Sequence, residues 1–216
     1  MGRRGLCWFA PRAPLTTVTL MDLLDLREPD RRVLAVTTGI VEQVRTGQLD
    51  LPTPCAGWSV RDLLRHMVGN NHGFAAAARG ERPVVAVWDG EDVTDPVGEF
   101  AASAAAVVAA FAAVEPLTGT FAVLGYGNVP AGQAVGMHFI DYLAHGWDVA
   151  VSIGADAGLD EEDCAAVLRI GSAWPKDSPA IWGPGAAFGH RVAVPGDAPV
   201  AERMLGFLGR SPSWPD

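Results

Sequence analysis

The chain has 216 residues, 49% hydrophobic and 19% charged, which supplies enough apolar material for a globular core and too little charge for a disordered chain. Its formal net charge of -9 argues against a nucleic-acid partner, because a phosphate backbone is held by a basic face. No apolar run approaches the roughly 20 residues needed to cross a bilayer, and Cys7, Cys55 and Cys164 form neither a disulfide framework nor a thiolate zinc pair, so a reducing cytoplasm fits best.

Arg3 and Arg4 precede a short apolar run, Leu6 to Ala10, in the manner of a secretory signal, but Pro11, Arg12 and Pro14 interrupt it too early. Residues 1–20 are therefore expected to be a disordered extension, and residues 21–216 a single helical domain. A first helix is predicted from Pro29 to about Gly47, with Val33, Leu34, Val36, Ile40, Val41 and Val44 on its apolar side. The segment Leu51 to Gly57 carries two prolines and a glycine and reads as a rigid connector. Ser59, with Asp62 three residues on, forms a capping-box variant that opens a second helix ending near Arg79-Gly80. His66 lies among the apolar residues of that helix, whereas His72 falls about 120° away.

Residues Glu81 to Thr94 read as a loop. Asp95-Pro96 opens an alanine-rich helix running to Ala113, whose small side chains permit close helix approach. A glycine-rich crossover at Phe121 to Pro130 leads into a long helix from Ala131 to Ile153, with Gly154 as its stop. Asp160 caps a fifth helix, with Glu161, Glu162 and Asp163 near its positive end. Trp174 to Gly189 is expected to be a long covering loop, His190 to Val194 a short strand, and Ala198 to Leu208 a last helix closed by Gly209. The fold class is all-α, most simply four main helices with appendages.

The long helix carries the chemistry. His138, Asp141, His145 and Asp148 are three, four and three residues apart, which at about 100° per residue places them in one stripe. The rest of the helix is largely apolar, so the stripe faces an enclosed space, where imidazoles and carboxylates need pairing or a metal. His66 is the expected partner. His66, Asp141 and His145 would leave coordination positions open, as catalytic zinc and non-haem iron sites do. Asp148 would hold a ring nitrogen of a ligating histidine from behind. His138 is either a fourth ligand or a general base. Trp147, beside the stripe, is the expected pocket wall for a bound cofactor. Plain alternatives stand beside this reading: a buried histidine on a carbonyl, or an ordinary Asp–His pair one helical turn apart. Cys55 precedes a helix start, but with no cation near it in sequence it reads as a packed structural cysteine.

Three separated motifs carry a family resemblance: Thr53-Pro54-Cys55-Ala56-Gly57-Trp58-Ser59 through His66, Asp141-Tyr142-Leu143-Ala144-His145-Gly146-Trp147-Asp148-Val149-Ala150, and Gly196-Asp197-Ala198 through Arg210. In this order they resemble the DinB/YfiT-like metal-binding proteins of actinobacteria, in a branch similar to the N-terminal domain of mycothiol-dependent maleylpyruvate isomerase. The resemblance implies a DinB-like four-helix bundle with extra short helices and a covering C-terminal loop. It also implies a divalent metal, zinc first, with nickel or iron open by ligand type. His66, Asp141 and His145 match the ligand positions. Relatives use low-molecular-weight thiols such as mycothiol for isomerisation or S-transfer, and no part of this sequence resembles the isomerase's extra C-terminal domain. The expected function is thus a metal-dependent enzyme acting on a small molecule with a thiol cosubstrate. The alternative is a non-catalytic metal- or small-molecule-binding protein with a structural metal. The resemblance also points to a homodimer, of which the residues carry no independent sign.

Overall fold

The computed structural model describes residues 25–216, apart from 177, 180 and 185. The expected extension at residues 1–20 lies outside that range. The elements in chain order are α1 (Arg27–Val41), a 3-10 turn (Thr46–Gln48), α2 (Val60–Ala78), α3 (Val85–Asp89), α4 (Pro96–Ala112), β1 (Thr120–Val123), β2 (Gly127–Pro130), α5 (Ala131–Ile153), α6 (Glu161–Gly171) and α7 (Val200–Phe207). Helices α1, α2, α4 and α5 form the bundle, and β1 and β2 pair as a small antiparallel hairpin. The all-α bundle stands, with that hairpin as its one addition among the described residues.

Helix α5 lies at the centre because its sequence is apolar on nearly every side, and all but one of its first 20 residues are buried. Its relation to its neighbours follows from three pairs. The Tyr142 hydroxyl donates to the Met67 carbonyl, His145 meets His66, and His138 meets Asn71. Ascending α2 therefore means descending α5, and the two helices are antiparallel. On α1, Asp30 meets His138, and a Cβ at Gly146 would meet Thr37, so α1 runs parallel to α5. The capping box of α2 forms as expected: Ser59 Oγ accepts from the Asp62 backbone N–H, and Asp62 Oδ2 accepts from that of Ser59. Asp95 and Asp160 cap α4 and α6 in the same way.

Three expectations are corrected. Helix α1 stops at Val41 instead of reaching Gly47, because Gln43 and Val44 donate to carbonyls three residues back and tighten the chain. The loop predicted at Glu81 to Thr94 contains α3, which drives Trp88 into a notch over Gly69 and Gly73 of α2. His190 to Val194 is not a strand. It has no strand beside it, and instead lies along α7, where the Val192 N–H donates to the Gly206 carbonyl. The covering segment after Trp174 packs through Trp174, Trp182 and Phe188 onto Phe207.

Candidate metal centre

Two helices, α2 and α5, bring the candidate ligands together. His66 stands one and a half turns into α2, and Asp141 and His145 stand one turn apart on α5. One donor atom from each lies within 4.8 Å of the others, and all three residues are buried. His145 Nε2 is 3.3 Å from Asp141 Oδ1, and the two imidazoles meet edge to face at 5.3 Å. Asn70, one turn beyond His66, places its amide nitrogen 3.0 Å from Asp141 Oδ2 and 3.2 Å from His66 Nε2. That amide donates to Asp141 and lies within hydrogen-bond distance of His66 Nε2, the ring nitrogen nearest the shared space, so a cation bound at Nε2 would displace the Asn70 contact. Trp58 stands edge-on to His66 at 5.0 Å and forms a partly exposed wall.

Behind His145 the polar chain continues. His145 Nδ1 is 2.8 Å from Asp148 Oδ2, which leaves Nε2 aimed at Asp141 and His66. Arg210 grips the same carboxylate, Nη2 at 2.8 Å from Oδ2 and Nε at 3.3 Å from Oδ1. The Arg210 Nη1 donates to the Leu208 carbonyl, which fixes the fork. Cys55 closes the group, its Sγ 3.4 Å from Asp148 Oδ2 and 3.8 Å from Arg210 Nη2.

The electrostatics follow from burial and charge. Burial pushes His66 down to about 4, against the opposing pull of Asp141. Burial would lower His145 too, but the carboxylates of Asp141 and Asp148 outweigh it and hold the imidazole at about 9. Burial alone would raise Asp141, but charge and hydrogen bonding from His145 bring it to about 2. Asp148 is likewise held below the usual carboxylate range by Arg210 and His145 against the effect of burial. Two nitrogen donors and a carboxylate, one imidazole already neutral, fit a divalent cation of the zinc type. The proton on His145 Nε2 is the one such a cation would replace.

Two expected site residues lie elsewhere. His138 is fully buried about two helical turns from His145, with Nδ1 2.7 Å from Asp30 Oδ1 and Nε2 3.1 Å from Asn71 Oδ1. Its ring nitrogens face Asp30 and Asn71, and Tyr142, Phe74 and Phe111 surround the ring, so the structure places it apart from the His66, Asp141 and His145 cluster. The stripe was right in angle but too long for one site. Trp147 does line a pocket, but with α1 and the segment before α6, on the opposite side of α5 from His66. His72 pairs with Glu99 at the surface. Sequence reading missed three contributors. Asn70 carried a signal as a polar residue one turn beyond His66, whereas Arg210 and Cys55 are 155 positions apart, and nothing local links them.

The mycothiol maleylpyruvate isomerase N-terminal domain family matches residues 31–150, a span that holds every residue of this cluster except Arg210. The chain belongs to that family. Two Mycobacterium tuberculosis proteins, uncharacterized protein Rv0738 of strain H37Rv and uncharacterized protein MT0763 of strain CDC 1551, are each 36% identical to this chain over 177 residues, covering 80% of this chain and 90% of theirs. The crystal structure of the mycothiol-dependent maleylpyruvate isomerase superposes with a TM-score of 0.55 at 16% identity, covering 70% of each chain. A mutant of the same isomerase gives the same score at 15% identity. These likenesses carry the fold of the family domain onto this chain. No helix among the described residues is long and apolar enough to cross a membrane.

Proposed function

We propose that this family member is a divalent-metal-dependent enzyme that uses a low-molecular-weight thiol of the mycothiol type to isomerise, or transfer sulfur to, a small electrophile. The observation that carries the reading is the convergence of donor atoms from the buried His66, Asp141 and His145 within 4.8 Å of one another. Zinc is the first candidate by donor chemistry, with nickel and iron next. When bound, such a cation supplies a Lewis acid that favours thiolate over thiol at neutral pH.

The chain's own residues do the rest. His145 Nε2, the Asp141 carboxylate and His66 Nε2, once released from the Asn70 amide, would hold the cation. Asp148 keeps the second proton of His145 on Nδ1, and Arg210 keeps Asp148 ionised and still. Trp58 shields His66 on the partly open side. His138, expected as either a fourth ligand or a general base, is engaged by Asp30 and Asn71. Three protein donors therefore leave positions for substrate, as in catalytic rather than closed structural sites. Use of a mycothiol-type cosubstrate is supported by family membership and by the name of the structural relative.

The test is elemental analysis of protein purified without chelators or a polyhistidine tag, beside His66→Ala and His145→Ala. Wild type should hold close to one equivalent of metal and both variants far less. Equal metal in all three would show the site to be wrong. Calorimetric titration of the loaded protein with mycothiol then tests the thiol, and absence of binding would remove the cosubstrate while leaving the metal.

A further inference from the structure

Back to back with the metal centre, across α5, lies a second feature. Tyr142, Leu143, Gly146 and Trp147 form one side of an open pocket of about 330 Å3, while Asp141, His145 and Asp148 face the other way. That volume falls within the range of small-molecule sites, roughly 300–1,000 Å3. Val33 and Val36 of α1 form the opposite wall, with Leu159 at the end. Val36 is 44% exposed, one of the few large apolar residues of the described chain left so open to solvent.

The residue at position 146 keeps the pocket open. A Cβ there would come within 2.7 Å of Thr37 Oγ1, so glycine lets α1 and α5 approach at the floor without filling the space above. The rim is charged, and unevenly so. Asp160 and Asp163 stand on it with Arg32 as the single cation. The Asp163 side chain is 6% exposed, whereas that of Arg32 is 44% exposed, and one guanidinium nitrogen sits 2.9 Å from Asp163 Oδ1. The carboxylate is fixed, and the cation it holds is a long side chain already half in water. A ligand cation that reaches the carboxylate would displace a guanidinium that stays solvated at the pocket mouth. The indole of Trp147 in the same wall adds an electron-rich surface that favours a cation.

We propose that this pocket binds a small organic cation, an amine on an apolar or aromatic body, with the body against Trp147, Leu143 and Val36 and the head at Asp163. The site is separate from the metal centre and does not depend on how that centre is read.

Three probes of one shape separate the contributions: naphthylmethylamine, naphthalenemethanol and naphthaleneacetate, cationic, neutral and anionic at neutral pH. Each is titrated by calorimetry into the protein as purified, into Val36→Trp, which fills the pocket from an exposed position, and into Asp163→Asn. The wild type should bind the amine about tenfold more tightly than the alcohol, the scale of one charge-assisted contact beside an aromatic face, and the acetate more weakly still. Val36→Trp should lose the amine and the alcohol together, and Asp163→Asn should bind both equally. Metal content and thermal unfolding of Val36→Trp should match wild type, which shows that the loss is local. The proposal is overturned if the amine has no advantage over the acetate, if Val36→Trp binds as wild type does, or if no probe binds at millimolar concentration.

Discussion

Arg210 and Asp148 join the segment after α7 to the back of the candidate metal cluster: Nη2 lies 2.8 Å from Oδ2 and Nε 3.3 Å from Oδ1, with both side chains nearly or wholly buried. The same Oδ2 holds His145 Nδ1, so one carboxylate oxygen couples the tail after α7 to a candidate ligand on α5. Truncating Arg210 would strip the guanidinium from a buried carboxylate that keeps the His145 imidazole and the Cys55 thiol beside it. Arg210→Ala should therefore destabilise the fold by about 3–5 kcal/mol, the usual penalty for stranding one member of a buried pair. Arg210→Lys keeps the charge but loses the fork, and should fall between the two. Urea unfolding monitored by tryptophan fluorescence checks both, and equal midpoints for wild type and Arg210→Ala would refute the coupling.

The two imidazoles of the triad pull stability in opposite directions with pH. His66 sits at about 4, below its ordinary 6.5, so its contribution is present above 6.5 and is lost as pH falls toward about 4. His145 sits at about 9, so its contribution is present below 6.5 and drains away as pH rises through about 9. With no cation bound, this pair should give a stability maximum near the ordinary histidine value. His66→Gln should flatten the acid limb and His145→Gln the alkaline one. Cation affinity should rise about tenfold per pH unit up to about 9, because one proton leaves His145 on binding. Competition against a chelator across that range measures the slope, and a flat profile would show that His145 is not a ligand.

Much of this architecture is legible in the chain, for identifiable reasons. Capping residues marked the starts of α2, α4 and α6, and Gly154 the end of α5, because these are local rules. The triad was legible because His66 follows a strong cap and because Asp141 and His145 sit one turn apart in an apolar helix. What failed was distance along the axis. Periodicity gives an angle, and His138 shares the angle of His145 but meets a different level of α1 and α2. The Arg210 contact was out of reach because no local pattern predicts which surface the tail meets. Cys55 was read as lacking a cation nearby, and its cation arrives from the far end of the sequence.

His138 and Asp30 form a second buried pair, about two helical turns along α5 from His145. With Asn71 Oδ1 accepting at Nε2, and Asn71 in turn donating to Ser103, the network ties α1, α2, α4 and α5 at one level. His138→Ala should cost about 3–5 kcal/mol by leaving the buried Asp30 without its imidazole partner. The double variant His138→Phe with Asp30→Leu should recover part of that loss, since apolar replacement of both partners is often tolerated. Metal content should be unchanged in every variant that folds. Loss of metal from a well-folded His138→Phe/Asp30→Leu protein would mean that this network reaches the centre after all.

The notch that receives Trp88 gives a steric prediction. A Cβ at Gly73 would lie 2.4 Å from two ring carbons of Trp88, and one at Gly69 would lie 2.4 Å from the Trp88 carbonyl oxygen. Both glycines sit inside α2, where alanine is the better helix former by roughly 1 kcal/mol, so propensity alone predicts that Gly73→Ala stabilises. The clash predicts the reverse. Overpacking of a filled core costs about 1–3 kcal/mol, and Trp88 is 2% exposed with Phe74 against its edge, so the ring has nowhere to move. Gly73→Ala should therefore lower the unfolding midpoint. In a Trp88→Leu background, which removes the obstructing ring, the same substitution should raise it. Thermal unfolding of the four proteins measures the sign change. A stabilising Gly73→Ala in the presence of Trp88 would show that α3 does not hold the indole in that notch.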